Sequence, residues 1–219
     1  MKNKDFYINM LKKENMLDNS TYQYFDVCTF KKGDCLLYQG QTLEYLYILL
    51  EGKIKSCHST SNGTSILNAF SKPISVLGEI ELLSGSDVNN NVYAIETTIC
   101  LKISIIQYKD ILLNDLLFMR FLATTIACKL QSSNNNSSIS INYPVENRLA
   151  SYLIACHDHL IIEQNLVQIA EMIGCSYRQL QRTLDEFCRK AYIKKIGRSQ
   201  FHILDLESLK SLGQDLYYI

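Results

Sequence analysis

The residues best suited to chemistry lie in one short stretch, Ser176-Tyr177-Arg178-Gln179-Leu180-Gln181-Arg182. Tyr177, Arg178, Gln181 and Arg182 carry long side chains with hydrogen-bond donors, and at helical spacing they share one face. Near a helix N-terminus, such a face meets base edges and phosphates. Ser176 can cap the helix, while Leu180, Leu184 and Phe187 fall on its opposite side. From Arg178 to Arg198 there are seven basic residues (178, 182, 189, 190, 194, 195 and 198) and two acidic ones (185 and 186), a local charge of +5. Residues 144–219 balance nine basic against nine acidic side chains, so the charge is a local patch. A patch of this kind fits DNA phosphates. It also fits a helix pair from a bundle with a solvated basic face.

Thiol and imidazole chemistry is available but not arranged. Eight cysteines stand at 28, 35, 57, 100, 128, 156, 175 and 188, with no Cys-x-x-Cys, and histidines at 58, 157, 159 and 202. Cys57-His58 and Cys156-His157 are chain neighbours, but adjacency does not bring a thiolate and a base into hydrogen-bonding geometry. Zinc ligands come in pairs a few residues apart, and these residues form no such pairing. We read the cysteines mostly as buried thiols in a reducing cytoplasm, with no metal site and no catalytic role. Redox sensing is the alternative use.

The reactive stretch needs a frame. Leu166 to Leu184 reads as two short helices joined by a tight turn, the helix-turn-helix unit. Ala170 is small where the second helix crosses the first, and Gly174 suits a turn with positive φ. Ile193 to Ile203 reads as a hairpin beside them, a wing carrying Lys194, Lys195, Arg198 and Ser199. Before it, Glu146 to Ala155 is helical. Cys28 to Ile103 has a different texture, with short β-rich runs between glycines and a hairpin signal at Asn62-Gly63. Such runs predict a β-sandwich or barrel. Between the two regions lies a helical pattern with an apolar stripe of Leu116, Met119, Leu122, Ile126 and Leu130, which Asn114-Asp115 can cap. The stripe can pack on its own β-domain or on the same helix of a second subunit. Ser132 to Ser138 is polar and reads as a linker. Residues 1 to about 26 read as one or two short helices.

The whole chain fits this division. Its 219 residues amount, at about 150 per domain, to one large domain or two small ones. It is 47% hydrophobic and 20% charged, which suits a globular fold. Lys and Arg together equal Asp and Glu, 22 each, so no global charge announces a partner. The longest apolar run is Tyr45 to Leu50, far below the roughly 18 residues of a membrane span. No membrane partner and no secretory signal are expected, and a cytoplasmic location is.

Several motifs together resemble the CRP/FNR superfamily of bacterial transcription regulators. They are Lys32-Gly33-Asp34, Gln39-Gly40, Leu46 to Ile54, Gly78-Glu79-Ile80 and Gly174-Cys175-Ser176. Gly78 to Leu82, Leu112 to Asp115, Asn147 to Ala150 and Ser176 to Arg178 look most like the YeiL-type branch. The resemblance implies an α+β chain: a cyclic-nucleotide-binding-type β-roll (jelly roll) over 1–110, a dimerisation helix and linker over 111–143, and a winged helix-turn-helix over 144–219. It implies a homodimeric, non-enzymatic, sequence-specific regulator on palindromic double-stranded DNA, with RNA polymerase as a further partner. Tyr177, Arg178, Arg182 and Gln181 would reach bases or nearby phosphates. Ser176, Gln179, Lys194, Lys195, Arg198 and Ser199 would contact the backbone. The alternative is a ligand-binding or redox-sensing β-roll whose helix-turn-helix serves protein contacts.

The chain also departs from that family. Members that bind cyclic AMP hold its phosphate with an Arg-Ser or Arg-Thr some ten residues after Gly-Glu-Leu. Here Ser86 to Tyr93 contains no arginine or lysine. The effector pocket expected from Gly78, Glu79, Ile80, Asn90 and Asn91 thus has no cation for a buried phosphate, and cyclic AMP is not expected there. No cysteine precedes Cys28, so the N-terminal iron–sulfur motif of the oxygen-sensing members is absent.

Overall fold

The computed structural model describes residues 3–61, 63–137, 142–214 and 216–218, with backbone alone over 132–137. They form two compact units, one of Met1–Lys55, Ser71–Gln131 and Ile219, the other of Ser56–Phe70 and Ser132–Tyr218. Two four-stranded sheets form the β-roll, with strand orders β1-β8-β3-β6 and β2-β7-β4-β5. The strands are β1 Asp26–Phe30, β2 Cys35–Leu37, β3 Tyr45–Glu51, β4 Ile54–Ser59, β5 Ser65–Ser71, β6 Ser75–Leu77, β7 Asn91–Ala94 and β8 Thr98–Ser104. β3 holds the centre of its sheet because Leu46 to Leu50 is apolar on both faces and buried throughout. It pairs antiparallel with β8, Ile48 opposite Leu101, and with β6, Ile48 opposite Val76. The hairpin after β4 closes where Thr60 N–H donates to Thr64 O at 2.9 Å. Asn62, part of that turn's signal, lies outside the described residues.

Helices cover this roll. α1 (Lys4–Lys13) starts at Asn3, whose side chain accepts from Phe6 N–H, and buries Tyr7 and Leu11. A 3-10 turn, Thr21–Tyr24, follows. α2 (Glu79–Ser84) follows β6, and α3 (Ile105–Asn114) follows β8. α4 (Leu116–Ser137) begins at Asp115, whose Oδ1 accepts from Phe118 N–H at 3.0 Å. Its Oδ2 accepts from Thr21 Oγ1 at 2.7 Å and Asp18 N–H at 2.8 Å. One side of α4, with Phe118 and Leu122, lies in the core of its own unit.

Two expectations change here. Leu122, read as part of the seam, is completely buried in the core of its own unit. The helix also continues through Ser132–Ser137, where composition reads as linker. A helix already nucleated gains one hydrogen bond per added residue, so weak formers are carried along at its end.

In the second unit, α5 (Val145–Cys156), α6 (Leu166–Met172), α7 (Tyr177–Arg189) and α8 (Leu206–Gly213) accompany a three-stranded sheet of order β10-β11-β9. Its strands are β9 Ile161–Glu163, β10 Ile193–Lys195 and β11 Gln200–Ile203. Phe70 is fully buried in this unit, its ring centroid 5.9 Å from Tyr152 and 6.4 Å from Tyr217. Among the described residues no single helix is long and apolar enough to cross a membrane.

Candidate nucleic-acid interface

α7 is built to present one face and bury the other. Ser176 Oγ accepts from Gln179 N–H at 3.2 Å, and Gln179 Oε1 accepts from Ser176 N–H at 3.0 Å, a reciprocal capping box. Leu180, Thr183, Leu184 and Phe187 are buried. Tyr177, Arg178, Gln181 and Arg182 are exposed together on the opposite face. Gln181 Nε2 donates to the Tyr177 hydroxyl at 3.1 Å, so these two side chains hold each other. Asp185, one turn further on, is exposed on the same face. In the sequence Asp185 counts only as charge; on this face its carboxylate can accept from a cytosine amino group. Gln179 is exposed as well, and its carbonyl oxygen is engaged in the cap.

The turn before α7 is held from behind. Gly174 adopts φ 67°, which a glycine tolerates without strain. Cys175 N–H donates to Ala170 O at 2.9 Å, and Ala170 is buried at the crossing. Arg148 of α5 is buried, and its guanidinium donates to Ile173 O and to Gly174 O, the latter at 3.1 Å. Its charge answers the orphan carbonyls at the end of α6. Arg148 thus positions the helix pair. Sequence reading missed it, although buried Leu149 beside it marks an inward-facing stretch.

The wing follows the expected hairpin. Ile193 pairs with Ile203 and Lys195 with Phe201. Ile193, Phe201 and Ile203 are buried, while Lys194, Lys195 and Arg198 are exposed and Ser199 is half-buried. One basic residue leaves the patch: Lys190, at the C-cap of α7, bonds Glu186 at 2.7 Å. That bond holds the Glu186 carboxyl below its ordinary range and raises the Lys190 ammonium. Among the described residues Arg178, Arg182, Arg189, Lys194, Lys195 and Arg198 carry no ion pair. Six cations of the patch thus keep their donors for an external anion.

The expected effector residues separate in the β-roll. Glu79 is buried at the start of α2, whereas Ile80 is half-exposed and turned outward. Gly78 adopts φ 90°, and a Cβ there would lie 2.7 Å from a Leu43 methyl, so only glycine fits the corner. Asn91 Oδ1 accepts from Gln39 N–H at 3.0 Å, and Asn90 is half-buried. An open cleft of about 490 Å³ lies elsewhere, lined by Phe30, Gly33, Asp34, Cys35, Tyr38 and Tyr93.

The thiols are less uniformly buried than expected. Cys57, Cys100 and Cys156 are buried, Cys128 is exposed and the other four are intermediate. Cys28 and Cys100 lie opposite each other on β1 and β8. Burial pushes the Cys28 thiol up to about 11 and Cys100 further, and raises Cys35 and Cys175 as well. The thiolate is the reactive form, so these four rest as thiols. Among the described residues no three His, Cys, Asp or Glu side chains converge as a metal site.

A β-roll followed by a winged helix-turn-helix is the architecture of a transcription regulator, and the comparisons agree. Residues 27–115 match the cyclic nucleotide-binding domain, and residues 147–212 match the Crp-like helix-turn-helix domain. The chain belongs to the CRP/FNR family of transcription regulators. It is 30% identical over 187 residues to the regulatory protein YeiL of Escherichia coli O157:H7, covering 81% of this chain and 84% of that one. It is 21% identical over 180 residues to a CRP-like cAMP-activated global transcriptional regulator of Mycobacterium tuberculosis, covering 78% and 80%. Among solved structures, a CRP-family transcriptional regulator from Thermus thermophilus has a TM-score of 0.67 at 17% identity, covering 85% of this chain and 96% of that one. That last likeness is one of fold.

Proposed function

We propose that this chain is a homodimeric regulator that binds palindromic double-stranded DNA in a sequence-specific way and catalyses no reaction. The observation that carries the reading is the face of α7, where Tyr177, Arg178, Gln181 and Arg182 stand exposed above a buried Leu180, Leu184 and Phe187. Arg178 lies in the first turn, where two parallel hydrogen bonds to guanine O6 and N7 are within reach. Tyr177, Gln181 and Arg182 flank it. Ser176, Gln179, Lys194, Lys195, Arg198 and Ser199 meet the phosphate backbone. The sensor domain spans residues 1–110, the dimerisation helix and connection 111–143, and the DNA-binding domain 144–219. RNA polymerase is the further partner of this reading.

The two basic groups fail differently when removed. Arg178→Ala relaxes the preference at one base position in each half-site, worth about 1–3 kcal/mol, with half-sites about one helical turn apart. Lys195→Ala weakens binding to all sequences alike and lowers the salt slope by about one unit. Titration on a randomised operator library at several salt concentrations reads both. An Arg178→Ala protein with unchanged preference places the wrong residue at the bases. A wild-type protein with no preference at any salt removes the regulator reading.

A further inference from the structure

α2 buries two carboxylates, and both are answered from inside the chain. Glu81 Oε1 accepts from Asn89 N–H at 3.1 Å. Glu79, whose side chain is 5% exposed, meets Lys129 Nζ at 2.7 Å. Lys129 also donates to Val76 O at 2.9 Å, so its ammonium bridges the end of β6 and the start of α2. Lys129 stands on the same side of α4 as Asp115, Phe118 and Leu122, and 50 residues of chain separate it from Glu79. A buried carboxylate needs a cation or several donors. Ser86 to Tyr93 supplies no cation, and Val88 of that loop is itself packed into the core.

We infer that Lys129 is the resident cation of the β-roll site: it occupies Glu79 in place of an effector and fixes α4 on the sensor domain without a ligand. Asp115 pins the start of the helix and Lys129 its second half, with Phe118 and Leu122 packed between them. A cyclic nucleotide that used Glu79 would first have to break this buried ion pair. Lys129 is therefore a positioning residue for the dimer helix. This rests on the reading of α4 as the helix that sets the spacing of the DNA-binding units.

The test uses the full-length protein freed of nucleotides. Wild type binds its selected operator with no small molecule added, and cyclic AMP leaves the affinity unchanged. Lys129→Met weakens operator binding by about tenfold, the size of a typical coupling between sites. It also speeds amide hydrogen exchange in α2 and in the second half of α4, and Lys129→Arg restores both. The double variant Lys129→Met with Glu79→Gln leaves no orphaned charge, so it folds even where the single variant does not. It shows the same faster exchange in α4. Operator binding that requires cyclic AMP overturns the inference, as does unchanged exchange in the double variant. A wild type with no operator preference defeats the regulator reading instead, and the exchange measurement still decides whether Lys129 holds the helix.

Discussion

Arg178 and Arg148 are chemically the same side chain and do opposite work. Arg178 is exposed at the start of a helix whose cap is complete, so its donors remain for a partner. Arg148 is buried and directs its donors to Ile173 O and Gly174 O. Burial alone separates the two roles. The cap also has a double role, because Ser176 both starts α7 and sets the direction in which Tyr177 and Arg178 leave it. Ser176→Ala removes the hydroxyl acceptor for Gln179 N–H and costs about 1 kcal/mol. Urea unfolding followed by circular dichroism reads this as a lower midpoint at unchanged slope. No change in midpoint shows that the cap contributes nothing.

α4 is an element with two different ends. At its start Asp115 accepts three hydrogen bonds, from Asp18 N–H, Thr21 Oγ1 and Phe118 N–H. Two of the three donors come from the segment after α1, about 95 residues earlier in the chain. Asp115→Ala therefore loosens that segment and the helix start together. The expected loss is about 2–3 kcal/mol from the cap and the orphaned donors. That corresponds to a melting temperature lower by about 5–10 °C for a chain of this size. Calorimetry reads it, and a shift of less than a degree contradicts the assignment of Asp115 as the anchor.

For the whole molecule, the question is what covers the outer face of α4. Leu116 and Leu130 are 64% and 62% exposed, and Ala123 and Ala127 between them are exposed as well. Small residues flanked by leucines allow two helices to approach closely about a two-fold axis. We expect the protein to sediment at twice its 25.2 kDa chain mass at micromolar concentration. Leu116→Glu with Leu130→Glu yields folded monomers, because both side chains point away from the core. Leu122→Asp instead unfolds the sensor unit, because a charge enters a closed core. A monomeric wild type in sedimentation velocity removes the dimer and the paired half-sites together.

The parts legible in the sequence are those encoded within a few residues of each other. The apolar period of Leu180, Leu184 and Phe187, the Ser176 cap, Gly174 in its turn and the wing lysines each depend on local spacing, and all appear as read. The Asp115 cap and the central strand from Tyr45 belong to the same class. Long-range docking decided the rest. An apolar stripe on α4 states that one side is covered but not by what; Leu122 is buried in the core of its own unit. Glu79 and Lys129, or Arg148 and Gly174, meet only because separate elements pack, and no spacing rule links residues 26 to 50 positions apart. The polar run after Gln131 reads as a linker by composition, yet its first six residues extend α4, because helix propagation depends on the turn already formed.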